Sequence, residues 1–458
     1  MELSGKAVLV IGLKRTGVAV AHFVTARGGR VRLTDRQTHA QLAAELASLA
    51  DISLDLRLGT EDVSLLTGID LVVPSPGVPQ TAPLLTAAVQ RRIPVWSEIE
   101  LAFRALSCPI VAVTGTNGKS TTTSLLGECF REHGKKVFVG GNLGTPLLEA
   151  VAGNYDVAVA EVSSFQLEWV ERFHPQIGIW LNLTEDHLDR HGTFAAYGAA
   201  KRALFLRQTP TEWAVVNRDD PEVWHFAQGL PGRVFSFGWG APSHGAWHER
   251  PHGAWHRAWI DTQEKTLVIC REGAERRFAL DRLRLHGRHN WENVMAAVSA
   301  ATLWGIPQDV IERVLANFSG LPHRLEWVAT KNGVDYFDDS KGTNVGAVVQ
   351  SLAGFAGPVI LLAGGVDKGG DYQPLHAPVQ AKVKKLILFG SARETINAAL
   401  RGATETLVVE TLAEAVAEAA EVACRGDTVL LSPACASFDQ FRNYAHRGEV
   451  FRRCVEKV

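Results

Sequence analysis

Val111-Ala112-Val113-Thr114-Gly115-Thr116-Asn117-Gly118-Lys119-Ser120-Thr121 is the stretch on which the fold turns. The apolar run from Pro109 to Val113 reads as a buried strand. A glycine-bearing turn follows, and residues 120–133 have helical composition stopped by Gly134. Strand, Gly-Lys-Ser turn and helix together predict a phosphate cradle. The unbonded N–H groups and the dipole of a helix start both favour an anion there. In such a cradle Lys119 reaches the outer phosphates and Ser120 touches a magnesium ion. The common pattern has a glycine where this chain has Val113. A turn that merely caps a helix is the plainer reading of the triplet; its place between strand and helix favours the phosphate loop.

Working outward, the 458 residues exceed one hydrophobic core, and about three domains are expected. Hydrophobic content of 46% and charged content of 21% suit a soluble globular protein. A net charge of −2 supplies no basic field for nucleic acid or an anionic membrane. No apolar run approaches the roughly 18 residues that span a bilayer. Met1 to Lys6 leads straight into a strand without the form of a signal peptide. Cys108, Cys129, Cys270, Cys424, Cys435 and Cys454 are scattered and read as reduced thiols of a cytoplasmic protein.

Before the phosphate loop lies a β-α-β pattern. Ala7 to Ile11 is a strand, Gly12-Leu13-Lys14-Arg15-Thr16-Gly17 a turn, Val18 to Arg27 a helix, and Val31 to Thr34 a second strand ending at Asp35. An acid at that point suggests nucleotide binding. Lys14 replaces the middle glycine of the dinucleotide fingerprint, which disfavours a nicotinamide cofactor. A pyrophosphate or uridine nucleotide on Leu13 to Gly17 remains open, as does a β-α-β unit with no ligand. The strand Asp70 to Val73 runs into Pro74-Ser75-Pro76-Gly77-Val78-Pro79, a structural loop or a ligand loop.

After the loop, Lys136 to Val139 leads into Gly140-Gly141-Asn142-Leu143-Gly144. Tyr155 to Ala160 is a strand ending in Glu161, placed to hold magnesium or to cap a helix. Gln176 to Leu181 exits into Asn182-Leu183-Thr184-Glu185-Asp186-His187-Leu188-Asp189-Arg190-His191. Packing alone does not explain so dense a polar run. His187 could bind metal or orient a carboxylate. Tyr197 to Phe205 reads as helix, and on local grounds Lys201 is a solvated lysine of it. His-Gly-Ala-Trp-His at 244–248 recurs at 252–256 and is expected to be an exposed, duplicated insertion rather than a metal site. Trp259 to Ile269 resembles a hairpin. Asn290 and Asn293 share one helix face, where they could grip a ligand or cap the helix.

The last block alternates strands at Val334–Phe337, Val359–Ala363, Leu386–Phe389, Thr406–Val409 and Thr428–Leu431 with helices, which implies a parallel sheet. Polar runs follow three of these strands: Asp338 to Asn344, Gly364 to Asp371, and Ser432 to Phe441.

These residues carry a family resemblance. Thr-Gly-Thr-Asn-Gly-Lys-Ser at 114–120, Asn-Leu-Thr-Glu-Asp-His-Leu-Asp at 182–189, Leu-Pro-His-Arg at 321–324 and Asp-Ser-Lys-Gly-Thr-Asn at 339–344 resemble the Mur ligases. Ser-Pro-Gly at 75–77 and Ser-Pro-Ala-Cys-Ala-Ser-Phe-Asp-Gln-Phe at 432–441 resemble its D-glutamate-adding branch. The resemblance spans the whole chain, with the motifs in family order. It implies an α/β fold of three domains, each with a mainly parallel sheet: Rossmann-like for residues 1–104, P-loop ATPase-like for 105–320, and Rossmann-like for 321–458. It implies an ATP-dependent amide ligation of peptidoglycan precursor synthesis, in which UDP-N-acetylmuramoyl-L-alanine gains D-glutamate through an acyl phosphate.

By the same resemblance, Gly115, Thr116, Asn117, Gly118, Lys119, Ser120, Thr121, Asn290, Asn293, Arg324, Asp339 and Lys341 would bind ATP. Ser120 and Glu161 would hold one magnesium ion, and His187 with a carbamylated Lys201 a second. Lys119, His187 and Lys201 would be catalytic. Arg15, Thr16, Asp35, Arg36, Ser75, Pro76, Gly77 and Asn142 would bind the uridine substrate, and His187, Thr343, Lys368, Ser437 and Phe438 the D-glutamate. Tyr444 stands where the family tends to have phenylalanine. Closure of the last domain would complete the site. The chain is expected to act as a cytoplasmic monomer on small molecules, without nucleic acid or membrane insertion. Sister ligases, folylpolyglutamate synthase, a nicotinamide dehydrogenase and a non-catalytic nucleotide switch are the rivals. The 432–441 run and Lys368 favour D-glutamate, and the Asp-Asn-Pro-Arg-like motif of a diamino-acid ligase is absent.

Overall fold

Short apolar strands that alternate with helices have to be covered on both faces, and parallel pairing is the arrangement that achieves this. The structure, a computed structural model, describes residues 1–458 apart from 241–255, 282, 284, 286, 356, 368 and 370. Among the described residues the strands form three sheets. The chain divides into two compact units, Met1–Asp281 with Asn293–Val314, and Arg282–Glu292 with Leu315–Val458. No helix among the described residues is long and apolar enough to cross a membrane.

The first sheet orders its strands Leu54–Leu58, Arg30–Asp35, Ala7–Ile11, Leu71–Pro74, all parallel. Its side chains alternate between two cores: Val8, Val10, Leu33 and Val73 enter one, and Leu9, Ile11 and Val72 the other. The edge strand Leu54–Leu58 (Leu-Asp-Leu-Arg-Leu) is not part of the sequence reading. Its alternate charges interrupt the apolar run; Asp55 pairs across the sheet with Arg32 and along its own strand with Arg57.

The second sheet runs Ala274–Ala279, Thr266–Arg271, Arg257–Asp261, Arg233–Trp239, Trp213–Asn217, Ile177–Trp180, Ile110–Thr114, Val157–Glu161, Val137–Gly141. It is parallel except for the last two pairings at the Ala274 edge, where the expected hairpin forms. The phosphate-loop strand Ile110–Thr114 lies between Ile177–Trp180 and Val157–Glu161. The chain leaves it toward one side of the sheet and returns to the other. That topological switch opens a crevice at the strands' carboxyl ends, the usual ligand position in such sheets. The strands Trp213–Asn217, Arg233–Trp239 and Ala274–Ala279 extend the sheet beyond the sequence reading.

The third sheet runs Glu326–Lys331, Val334–Asp338, Thr428–Leu431, Val359–Gly364, Val383–Phe389, Thr406–Val408, parallel apart from its first pair. Leu361, Leu386, Leu388 and Leu430 enter one core, and Ile360, Leu362, Ile387 and Val429 the other. The α/β architecture with three mainly parallel sheets is therefore as expected. The repeat at 244–256 falls on residues outside the described ones, apart from His256.

Candidate active site

The phosphate loop is held open by its own geometry and by the neighbouring strand end. Gly115 has φ +150° and Gly118 φ +83°. A Cβ on Gly118 would come 2.1 Å from Asn293 Oδ1, so the predicted pair Gly118 and Asn293 are packed together. The helix Lys119–Glu132 starts at the lysine itself, with Gly118 as its left-handed cap. Asn182 and Thr184 lace the loop. Asn117 N–H donates to Asn182 Oδ1 (2.8 Å), Asn182 Nδ2 donates to Asn117 O (3.1 Å), and Thr184 N–H donates to Thr116 Oγ1 (3.0 Å). Thr116 Oγ1 also meets the Tyr197 hydroxyl at 3.3 Å. Lys119 Nζ donates to Gly115 O and Thr116 O, each at 2.8 Å.

Lys201 corrects only the reading made of it on local grounds. Its helix runs Phe194–Arg202 rather than 197–205, because Thr193 caps it by accepting from Ala196 N. The face of this helix that packs against the protein carries Tyr197, Gly198 and Lys201, so Lys201 is 1% exposed rather than solvated. Its Nζ donates to Gly115 O at 2.8 Å, the same carbonyl that Lys119 uses. Burial, then the Lys119 charge, pushes its amine well below the ordinary lysine value of 10.5. Two ammonium groups on one carbonyl repel each other, and a neutral or anionic Lys201 would remove that repulsion.

Glu161 is 3% exposed at its strand's end and is not a helix cap. Ser120 Oγ donates to its Oε2 (2.5 Å) and Asn142 Nδ2 to its Oε1 (2.7 Å). A carboxylate and a hydroxyl beside a phosphate loop form the oxygen donor set that suits magnesium. Asn142 is thus seen bonding the carboxylate that would hold the ion. His187 adopts left-handed backbone, φ +55°, and begins the turn Leu188–His191. Its side chain is 47% exposed with Asp186 Oδ2 at 3.6 Å. Burial, then the Lys201 and Lys119 charges, lowers its pKa against the opposing pull of Asp186.

The uridine-substrate candidates lie on the carboxyl ends of the first sheet. Asp35 accepts from Leu13 N–H (2.7 Å) and Gln37 N–H (2.8 Å), and so ties the glycine turn to the strand end. Ser75 Oγ donates to Gly12 O at 2.9 Å. Arg15 Nη1 donates to Gly144 O (3.2 Å), and Arg36 pairs with Glu61 at 2.8 Å. Lys14 pairs with Glu45 at 2.8 Å. A cleft of about 1280 Å³ has Lys14, Arg15 and Thr16 in its wall. Asp35, Arg36 and Ser75 to Gly77 lie outside that wall, so the cleft does not gather the whole set.

The second unit carries the remaining candidates. Asp339 is buried and accepts from Ser432 Oγ (2.7 Å), Ser351 Oγ (2.8 Å) and Leu325 N–H (3.3 Å). Burial raises its pKa to about 6. Leu325 N–H and Lys341 N–H, which donates to His323 O (3.0 Å), join the Arg324 loop to the Asp339–Thr343 segment. Lys341 Nζ sits 3.9 Å from the Tyr444 ring centre, a cation–π contact that the phenol supports as a phenyl ring would. Thr343 N–H donates to Lys341 O. Ser437 is 2% and Phe438 73% exposed, and Asn290 is buried at the start of helix Arg288–Trp304. Lys368 lies outside the described residues.

Sequence reasoning missed several supports. Arg447 is fully buried and donates to Ser340 Oγ, Ser340 O, Gly364 O, Cys435 O and Ala436 O. It gathers the loops after three strands, yet its helix Tyr444–Lys457 reads as an ordinary charged one. Burial lowers its pKa to about 10. His323 Nδ1 lies 2.6 Å from buried Asp338 Oδ2. Leu-Pro-His-Arg signalled a loop of note, but its partner could only be found in space.

Three family models match the chain: the Mur ligase MurD-like N-terminal domain over residues 6–97, the Mur ligase middle domain over 113–301, and the Mur ligase glutamate ligase domain over 323–435. The chain is 47% identical to the UDP-N-acetylmuramoylalanine--D-glutamate ligase of Syntrophotalea carbinolica, covering 100% of this chain and 99% of that protein. It is 46% identical to the ligase of the same name in Syntrophus aciditrophicus, covering 99% and 98%. Among solved structures it is similar in fold to a pseudomurein peptide ligase type C from Methanothermus fervidus, with TM-score 0.61, 20% identity, and 99% and 100% coverage. The MurF ligase from Thermotoga maritima in complex with ADP is similar at TM-score 0.59 and 16% identity, covering 100% and 96%. With all three models matched in order and relatives near half identical from end to end, the chain belongs to the Mur ligase family.

Proposed function

We propose that this chain joins D-glutamate to UDP-N-acetylmuramoyl-L-alanine, using ATP, in the synthesis of peptidoglycan precursors. The observation that carries the reading is the end-to-end identity with relatives that bear the name of this activity. The γ-phosphoryl group of ATP passes to the alanyl carboxylate, giving ADP and an acyl phosphate. The D-glutamate amine attacks the acyl carbon, a tetrahedral intermediate forms, and loss of phosphate and a proton leaves the amide.

The loop Gly115 to Thr121, with Asn290, Asn293, Arg324, Asp339 and Lys341, binds ATP. Lys119 leaves its carbonyl partners for the phosphates, where its charge offsets that of the transferring group. Ser120 and Glu161 would hold one magnesium ion, and His187 and Lys201 a second; magnesium would supply positive charge to offset that of the transferring phosphoryl group. Lys201 serves there as a carbamate. Its neutral amine forms an N–C bond to carbon dioxide and releases a proton, which replaces a cation by a carboxylate. Its burial and depressed pKa support this. Arg15, Thr16, Asp35, Arg36 and Ser75 to Gly77 bind the uridine substrate. Asn142 acts on Glu161. His187, Thr343, Lys368, Ser437 and Phe438 receive D-glutamate. We take residues 1–104, 105–320 and 321–458 as the domains of a cytoplasmic monomer.

The test is phosphate release from ATP by the purified protein. Release is expected only when UDP-N-acetylmuramoyl-L-alanine and D-glutamate are both present. Equal turnover with another amino acid, or none with D-glutamate, overturns the reading.

A further inference from the structure

The proposed site gives Arg190 no task, yet its side chain is only 11% exposed and its donors are almost all engaged. Nε donates to Glu168 Oε1 (3.0 Å) and Nη2 to Glu168 Oε2 (2.5 Å), a bidentate fork on a carboxylate that is 4% exposed. The same guanidinium donates to three successive carbonyls of the Ser-Pro-Gly loop: Pro76 O (3.3 Å), Gly77 O (3.3 Å) and Val78 O (2.7 Å). One planar group thus binds a carboxylate at the end of the short helix Ser164–Leu167, which follows strand Val157–Glu161, and a loop of the first sheet. Lysine cannot reproduce that fork.

Both ends of the strut touch the reacting parts. Arg190 and His187 share one helical turn, in which Arg190 N–H donates to His187 O at 3.1 Å. The Phe165 ring lies against both, 4.8 Å from the His187 ring and 4.9 Å from the Arg190 guanidinium. At the other end, a trans peptide points its C=O and N–H in opposite directions. The Pro76 carbonyl turned to Arg190 therefore aims the N–H of exposed Gly77 away from it. The geometry points to Arg190 as a positioning residue that sets the uridine-substrate loop at a fixed offset from His187. This rests on the proposed reading of the Ser75–Gly77 loop. The need for such a strut is physical: the acceptor carboxylate and the phosphoryl donor are held by different sheets, and an error of about 1 Å costs about a hundredfold in rate.

The test measures binding of UDP and of ADP by calorimetry to the full chain, wild type and Arg190→Ala. Loss of hydrogen bonds to a charged group predicts a UDP Kd raised about tenfold to a hundredfold, with the ADP Kd within about twofold. Millimolar guanidinium should restore UDP binding to Arg190→Ala, and Arg190→Lys should fall between the two. The ADP Kd reports that the variant is folded, and Glu168→Gln, which keeps Arg190, should weaken UDP binding less. Equal UDP affinity in wild type and Arg190→Ala, parallel weakening of UDP and ADP, or no UDP binding by the wild type overturns the strut. Turnover of the wild type, read separately by phosphate release, decides the ligase reading itself.

Discussion

Replacing His323 by asparagine separates charge from hydrogen bonding in the second unit. His323 has φ +63°, a left-handed backbone that asparagine tolerates better than most residues. The asparagine amide nitrogen also falls near the position of Nδ1, so a hydrogen bond from an uncharged donor to the Asp338 carboxylate survives. What is lost is the imidazolium charge, 2.6 Å from a carboxylate with 0% side-chain exposure. The Asp338 hydrogen bond raises the His323 pKa above its ordinary 6.5 against the opposing effect of burial. In the unfolded chain the histidine titrates at 6.5; folded, it titrates higher. The ionic pair therefore stabilises fully below pH 6.5, and that contribution disappears as pH rises through the folded value. Charging the donor as well as the acceptor adds an increment of the order that separates a charged from a neutral hydrogen bond, about 1–2 kcal/mol. His323→Asn should then cost about 1–2 kcal/mol at pH 5.5 and about nothing at pH 9. Amide hydrogen exchange of peptides covering 321–326 and 334–340 reads this locally, which avoids assuming two-state unfolding in a chain of several domains. Opening of these segments should be about 5- to 30-fold more frequent in the variant at pH 5.5. An equal difference at both pH values would refute the charge argument. A more protected variant at pH 5.5 would mean that desolvation of the pair outweighs its attraction.

Three further outcomes follow from the first unit. Lys201→Ala should lose ligase activity and regain part of it in millimolar acetate or formate; failure of every short carboxylate to restore turnover counts against the carbamate. Asn142→Ala should raise the magnesium concentration needed for half activity about 10- to 100-fold, as loss of a ligand's supporting partner does. A raised KM for the uridine substrate at unchanged magnesium demand would return Asn142 to the substrate-binding role expected from the sequence. Gly118→Ala places a Cβ 2.1 Å from Asn293 Oδ1 at positive φ. It should destabilise by at least about 1–2 kcal/mol and abolish ADP binding, and normal calorimetric ADP affinity would show that the loop relaxes without loss.

Much of this molecule was legible in the residues themselves, because its signals are local. Apolar runs at 109–113, 359–363 and 428–431 mark strands buried on both faces, and the polar or glycine-rich segments after them mark carboxyl ends. Gly118 and Lys119 announce a helix start from which a phosphate can be bound. Residues that act through distant partners were not legible. The family resemblance singles out Lys201, but on local grounds it reads as solvated, and only the packing of its helix shows it buried beside Gly115 O. Arg190 and Arg447 look like surface charges until Glu168 and the carbonyls of the Pro76–Val78 loop meet the first and the carbonyls of separate loops the second. Asn142 reads as a loop residue until the sheet brings Glu161 within 2.7 Å.

The sequence by itself thus determined the buried apolar strands, the phosphate loop and the family, since backbone conformation and apolar burial depend on neighbours a few places along the chain, while strands broken by charges such as Leu54–Leu58 emerged only in the sheets. The tertiary structure alone decided which charges are buried, which carbonyls they hold and which pKa values move. Those depend on desolvation and on distances of a few ångströms between residues far apart in sequence.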